Sequence, residues 1–328
     1  MASFISGTDA HIKKVNNIAL LYFWKLNFDG FKLRNVHFSW TPENRPIGKV
    51  EPDTELRLNI PDASTNQIKY GMKTEDLAGI DNSRLDGALG PIEVDGAMKG
   101  HVLEVHIEDI KTGSWGWSAI IDDLGLLKDR YKQKLVFWDI EDGVCRPVNF
   151  LDGIEIPLEP MIGVIGVSPT KGEYGMIPPQ AFGGNMDSRI NHAGTRVYLP
   201  VLRSGGMISF ADPHASQGDG EVCGTGIETS AEVLCKIDIV EDMKIRSPAM
   251  IGQRKERGMC FVATGIGENL YESSREATLS VIDFIVSKGY TEEEAYILSS
   301  VSMDLVISEI VDEPNFVVSA YLPLKVFH

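Results

Sequence analysis

The stretch Val102-Leu103-Glu104-Val105-His106-Ile107-Glu108 decides the fold class. Apolar and polar residues alternate strictly along it, and successive side chains of a β-strand point to opposite faces. Leu103, Val105 and Ile107 are therefore expected to face a core, with Glu104, His106 and Glu108 on a polar face. Outward from this stretch, apolar segments at 55–60, 135–140, 161–167, 195–201 and 207–211 also read as strands, spaced by turns rich in glycine and proline. Helical periodicity comes late. Ala277, Val281, Phe284 and Ile285 fall at helical spacing behind Ser273 and Ser274 as possible N-caps. Thr291-Glu-Glu-Glu294 is a capping box, opening a second helix with Ile297, Val301 and Leu305 as one stripe. The two helices, over about 271–310, are expected to form a hairpin. Strands first and helices last predict a β-rich α+β fold.

Composition narrows the function. With 328 residues, 43% hydrophobic and 24% charged, the chain has material for a sizeable core. A formal charge of -16 argues against nucleic acid and anionic membranes as partners, because that binding depends on Lys and Arg. The longest early apolar run, 18–24, is far shorter than the roughly 20 residues of a membrane helix. A cytoplasmic protein is expected. Cys145, Cys223, Cys235 and Cys260 lack metal or disulfide spacing and read as reduced thiols.

The chemistry-bearing residues concentrate in two turns, Gly183-Gly184-Asn185-Met186-Asp187 and Asp212-Pro213-His214-Ala215-Ser216-Gln217-Gly218-Asp219-Gly220-Glu221. In an extended chain Asp212 and His214 project to the same side and can converge on one ion, with Pro213 stiffening the pair. A nitrogen with carboxylate oxygens suits zinc or another divalent transition ion, with Asp187 and Glu228 as further ligands. The plainer alternative makes Asp187 an Asx-turn residue and Asp212 a cap before proline. Glycines such as Gly218 and Gly220 let acidic side chains and backbone donors crowd a small pocket, which makes Asp219 and Glu221 candidates for proton transfer. Backbone N–H groups from Gly218 to Gly226 are candidates for an oxyanion hole. Trp117 offers an apolar wall and His37, with Trp40, a pocket rim. The spacing G-x-G-x-x-x-G at Gly218–Gly224 misses the dinucleotide fingerprint, and there is no G-x-S-x-G elbow. Cys223 with a histidine base is a weaker nucleophilic alternative.

At this cluster the sequence resembles the acetamidase/formamidase family. The matching stretches are Gly90-Pro91-Ile92-x-Val94-x-Gly96-Ala97, Trp115-Gly-Trp117-Ser-Ala-Ile-Ile121, Ala181-Phe-Gly-Gly-Asn-Met-Asp187 and Thr195-x-Val-Tyr-Leu-Pro-Val201, in family order. Asp212-Pro-His-Ala-x-Gln-Gly-Asp-Gly-Glu-Val-Cys-Gly-Thr-Gly-Ile-Glu228 follows, then Asp304-Leu-x-Ile-Ser308 with Val311-Asp312. The resemblance spans 36–328, leaves 1–35 unmatched and departs at Met98-Lys99-Gly100-His101. It implies jelly-roll-like sandwich or barrel parts, hydrolysis of short linear amides such as formamide and acetamide, a divalent metal and homo-oligomers, dimeric or higher. Carried to matching positions it makes Asp187, Asp212, His214 and Glu228 the metal-site residues, with Asp219 and Glu221 beside them. Two rivals stand next to this reading. One is a hydrolase of lactams or longer amides on the same site. The other is a non-catalytic binding protein in which the carboxylates hold a structural Ca²⁺.

Overall fold

The computed structural model describes residues 35–328 together with the backbone of two short strands before them, Ile12–Val15 and Ile18–Leu21. The N-terminal segment expected at 1–35 therefore lies mostly outside the described residues. Strand Val102–Thr112 runs inside a ten-stranded sheet, flanked by Ala231–Val240 and Arg196–Pro200. Thr54–Ile60 continues the sheet on one side. Ala249–Arg254, Gly258–Gly267, Phe316–Pro323 and Asp304–Glu309 continue it on the other. Leu103, Val105 and Ile107 are at most 1% exposed, and Glu104, His106 and Glu108 stay half-open to water, as the alternation requires.

Facing this sheet is a six-stranded one, ordered Gly183–Asn185, Met161–Val167, Ile208–His214, Ala88–Val94 and Val36–His37, with Gly48–Val50 also paired to Ala88–Val94. The main core lies between them. Leu56, Leu103, Val105, Val233 and Ile237 from the first sheet meet Leu89, Ile92, Val164, Ile208 and Phe210 from the second. Two sheets closing on one apolar layer make a β-sandwich. A four-stranded sheet, Ile156–Pro157, Val144–Pro147, Lys134–Glu141 and Trp115–Ile120, carries its own apolar clusters around Trp117, Phe137 and Trp138.

The helices cover the outer face of the ten-stranded sheet. Ala249, Phe261, Ala263, Ala320 and Leu322 point outward and pack under Ala277, Val281 and Ile285 of helix α1 (Leu270–Val286). Their neighbours Met250, Val262 and Tyr321 point into the main core, the period of two again. Phe284 stacks on Phe261 with centroids 3.9 Å apart. Helix α2 (Glu292–Ser302) completes the hairpin through Ala295. Its capping box is as expected, Thr291 and Glu294 exchanging side-chain and backbone bonds.

Two details of the helices differ from the sequence expectation. Asn269, not Ser273 or Ser274, caps α1, its Oδ1 accepting from Tyr271 N at 2.8 Å. Ser273 is instead buried against the sheet, and the Ser274 hydroxyl donates back to Leu270 O at 2.6 Å. The stripe Ile297, Val301 and Leu305 does not face the core: these residues are 65%, 76% and 48% exposed. The helix stops at Ser302, Leu305 lies on strand Asp304–Glu309, and the buried face of α2 carries Ala295 and Ser299. No helix among the described residues is long and apolar enough to cross a membrane.

Candidate active site

The site is built on strand Ile208–His214, which is buried over its whole length and runs three residues beyond the segment expected from apolar character. Asp212 and Gly163 fall opposite each other, between the paired residues Ile162–Pro213 and Val164–Ala211. Asp212 has φ of 56°, a left-handed conformation that costs a non-glycine residue energy. Asp187 (φ 40°), Asp86 (φ 49°) and Glu221 (φ 43°) share it. Four acidic residues in this rare conformation, all lining one small cavity, mark a place where the fold holds side chains against local preference. Gly163 makes the crowding possible, since a Cβ there would lie 2.3 Å from Asp187 Oδ1 and 2.6 Å from Asp212 Oδ2.

His214 is fully buried. Its Nε2 is 3.1 Å from Asp212 Oδ2 and 3.0 Å from Glu228 Oε2. The other ring nitrogen, Nδ1, is 2.7 Å from Gln217 Oε1. Gln217 donates its own amide hydrogen to Asp187 O at 2.8 Å, which turns Oε1 toward the ring. The Nδ1 hydrogen is thereby fixed, and Nε2 faces the carboxylates as a ligand atom. Gly226 N donates to Glu228 Oε1 at 2.7 Å, and a Cβ at Gly226 would lie 2.8 Å from His214 Nδ1.

Two groups of ligand atoms each lie within 4.8 Å of one another: Asp212, His214 and Glu228, and Asp187, His214 and Glu221. Both use the same histidine. Sharing that histidine, the two groups describe a single centre. Asp187 Oδ1 and Oδ2 and Asp212 Oδ1 are buried and accept no hydrogen bond. Buried carboxylate oxygens without donors are costly unless a cation or a proton meets them, so the donor set fits a divalent metal.

The electrostatics agree. Asp86, Asp187, Asp212, Glu221, Glu228, Glu309 and Asp312 are all buried within this part of the fold. Burial, followed by the charge of Asp212, pushes the Asp187 carboxyl up to about 8. Burial does the same to Glu309, to about 7. Asp86, Glu221, Glu228 and Asp312 are held well above the usual range, desolvation first and neighbouring carboxylates after it. Desolvation alone would deprotonate His214, but Asp212 and Glu228 outweigh it and hold the ring well above its ordinary value. Burial would also raise Asp212, and the imidazole beside it wins and keeps that carboxyl low.

The cavity beside these groups has a volume of about 50 Å³, walled by Ala63, Leu85, Trp117, Ile121, Leu124 and Ile177. Asp187, Asp212, Glu221 and Glu228 border it. Asp219 does not. It lines a separate cavity of about 560 Å³, with Arg189 at 3.7 Å and Arg254 at 3.5 Å from its Oδ2. His37 is not at this cavity either; it is held by Ser39 O and Ser209 Oγ at 2.9 and 2.8 Å, and burial lowers its pKa to about 4. Of the expected backbone donors, Gly220 N is taken by Ser308 O, Glu221 N by Gly218 O, Gly224 N by Glu221 O and Gly226 N by Glu228. Those four N–H groups are not free to hold an oxyanion. Gly218 and Gly220 shape the turn that carries Glu221, Gly220 at φ of 95°. Cys223 donates to Ala119 O at 3.3 Å, and desolvation pushes its thiol up, away from thiolate chemistry.

Sequence reasoning missed Asp86, Asn185, Gln217, Glu309 and Asp312 as parts of the site. Asn185 donates to Asp312 Oδ2 at 2.8 Å, and Glu309 Oε2 accepts from Val311 N and Asp312 N at 2.9 and 3.1 Å. Asn185, Gln217 and Asp312 lie inside the quoted motifs, which was the available signal; Asp86 and Glu309 carried none.

Comparison with known proteins places this architecture. The model of the Acetamidase/Formamidase family matches residues 31–175 and 172–328. A formamidase of Methylophilus methylotrophus is 25% identical over 364 residues, covering 89% of each chain. An acetamidase of Mycolicibacterium smegmatis is 24% identical, covering 81% of this chain and 85% of that one. The crystal structure of an acetamidase from Bacillus halodurans superposes with a TM-score of 0.82 at 30% identity, covering 89% of this chain and 96% of the other. With the match running through both sheets, the helices and every strand that carries the site, this chain belongs to the acetamidase/formamidase family.

Proposed function

We propose that this protein hydrolyses the C–N bond of short linear amides, formamide and acetamide among them, to a carboxylate and ammonia, with a divalent cation held by Asp212, His214, Glu228 and Asp187. The observation that carries the reading is that His214 Nε2 lies 3.1 and 3.0 Å from Asp212 and Glu228, and that these carboxylates, with the donor-less Asp187, border a cavity of about 50 Å³. A cavity this small supports a short linear amide as the substrate. A histidine nitrogen among the oxygens supports zinc or another transition ion over calcium, which takes six to eight oxygens.

A bound divalent cation supplies polarisation of the amide carbonyl and a lowered pKa for water. The chain's own groups do the rest. His214 and Asp212 fix the centre, and Gln217 keeps the His214 lone pair directed at it. Glu221, raised well above the usual range by burial, then by Asp187, is suited to take a proton from water and pass it to the departing nitrogen. Asp219, tied to two arginines at the other cavity, has no part in this step. Trp117, Ile121, Leu124 and Ile177 exclude bulk water.

The functional unit is 36–328 in this reading, and its partner is a small amide. The four free cysteines support a reducing, cytoplasmic setting, and exposed Ile297, Val301 and Leu305 offer an apolar face for a homo-oligomer of two or more copies. The test is ammonia release from a panel of linear amides and lactams. Turnover confined to the shortest linear amides is expected. Turnover of lactams alone would replace the reading with the longer-amide alternative, and none on any substrate in metal-replete buffer would favour a binding protein.

A further inference from the structure

The carboxyl of Asp62 is buried one layer behind the cavity and no part of the chemistry above uses it. Its Oδ1 accepts from Ser64 Oγ and Asn66 N, both at 2.8 Å, and its Oδ2 accepts from the indole Nε1 of Trp117 at 3.0 Å. A buried charge-capable group is retained at a cost unless its bonds matter, and here two bonds hold its own turn and the third goes to a wall of the site. Trp117 is 2% exposed and forms one wall of the 50 Å³ cavity. Its backbone exchanges both hydrogen bonds with Glu228, at 2.9 and 2.8 Å, so wall and ligand share one rung. The turn after Asp62 also ties to Asp86, another residue bordering the cavity: Asp86 N donates to Ala63 O at 2.7 Å and Gly87 N to Thr65 Oγ1 at 3.1 Å. Thr65 and Asn66 hold φ of 53° and 58°, so the turn is kept in a disfavoured shape.

We propose that Asp62 is a positioning residue that sets acyl-chain length: by holding the Trp117 indole it keeps that wall closed, and the cavity admits only the smallest amides. This rests on the proposed amide chemistry for its kinetic consequence, but the wall itself is a matter of geometry. Without the bond to Asp62, only packing against side chains such as Ile68 and Phe137 holds the indole in place. An asparagine at 62 cannot replace the carboxylate. Whichever way its amide is turned, an NH₂ group meets either the indole N–H or the Ser64 and Asn66 donors.

The test is a cycle of Asp62→Asn, Trp117→Phe and the double variant, read in two ways. The indole ¹⁵N–¹H signal of Trp117, assigned by its loss in Trp117→Phe, should exchange slowly with solvent in the wild type and faster in Asp62→Asn. On titration it should shift with acetamide and not with butanamide in the wild type, and with both in Asp62→Asn. Kinetically, kcat/KM for butanamide relative to formamide should rise about 10-fold or more in either single variant, the value of a methylene or two in a pocket. The double variant should show no further rise, since the phenyl ring has no N–H to hold. A wild type that turns over no amide would sink the catalytic reading and leave the indole titration to decide the wall. Unchanged indole exchange and ligand selectivity in Asp62→Asn, or a kcat loss equal for all amides, would overturn the assignment.

Discussion

At the scale of single residues, His214 and Glu221 separate ligand from base. His214→Ala removes the one nitrogen among the ligand atoms, and metal content and ammonia release should fall together. Elemental analysis decides it: unchanged metal stoichiometry would return His214 to a buried ion-pair role with Asp212 and Glu228. Glu221→Gln should lower kcat by about 10²–10⁴, the usual contribution of a general base, while the protein keeps its metal. Loss of metal in that variant would make Glu221 a ligand of the Asp187–His214–Glu221 set instead. The segment from Asp212 to Glu228 was legible in the sequence because its chemistry is contiguous. Asp212 and His214 do converge, although through a left-handed Asp212 and not the plain extended chain that alternation suggests. Asp86 and Glu309 were not legible, since a lone acid in a loop or strand carries no mark of the partner that tertiary folding brings to it. Asp219 was misleading for the same reason: two residues from Glu221 in sequence, it turns to a different cavity.

At the scale of elements, strands were readable in part: Ala231–Val240 alternates as Val102–Thr112 does and was not among those expected. Val102–Thr112 shows the alternation plainly, and Met161–Val167, buried on both faces, still shows as an apolar run. Helix α2 exposed the limit of periodicity. Ile297 and Val301 have helical spacing, but the buried face of α2 is the one with small residues, Ala295 and Ser299, where it packs mainly against α1. Close approach is sharper still under α1, where a Cβ on Gly265 would sit 1.7 Å from Ser273 O. Gly265→Ala should therefore push α1 off the sheet and cost at least about 1–3 kcal/mol, readable in urea unfolding. Wild-type stability in that variant would mean that the helix can slide without loss.

At the scale of the whole molecule, the buried carboxyls tie stability to pH. The folded state holds the Asp187 proton up to about 8 and the Glu309 proton to about 7, against ordinary values of 3.8 and 4.5. The metal-free protein therefore binds more protons folded than unfolded across that window, and it loses stability as pH rises through it. His214, raised above 6.5, acts in the same direction. Asp212, lowered from 3.8, opposes it only at more acidic pH. The Tm of metal-free protein is expected to fall from pH 5 to pH 8, and a divalent cation, which replaces those protons, should restore most of it at pH 8. A metal-free Tm that rises over the same range would contradict this electrostatic picture.

If one divalent cation at His214 makes this chain an amidohydrolase, metal add-back to chelator-stripped protein will show it. Ammonia release from formamide or acetamide should be lost on stripping and return linearly with added Zn²⁺ or another divalent transition ion, breaking at about one equivalent per chain, the limit set by a single centre. Full turnover by protein shown by elemental analysis to be metal-free would contradict it.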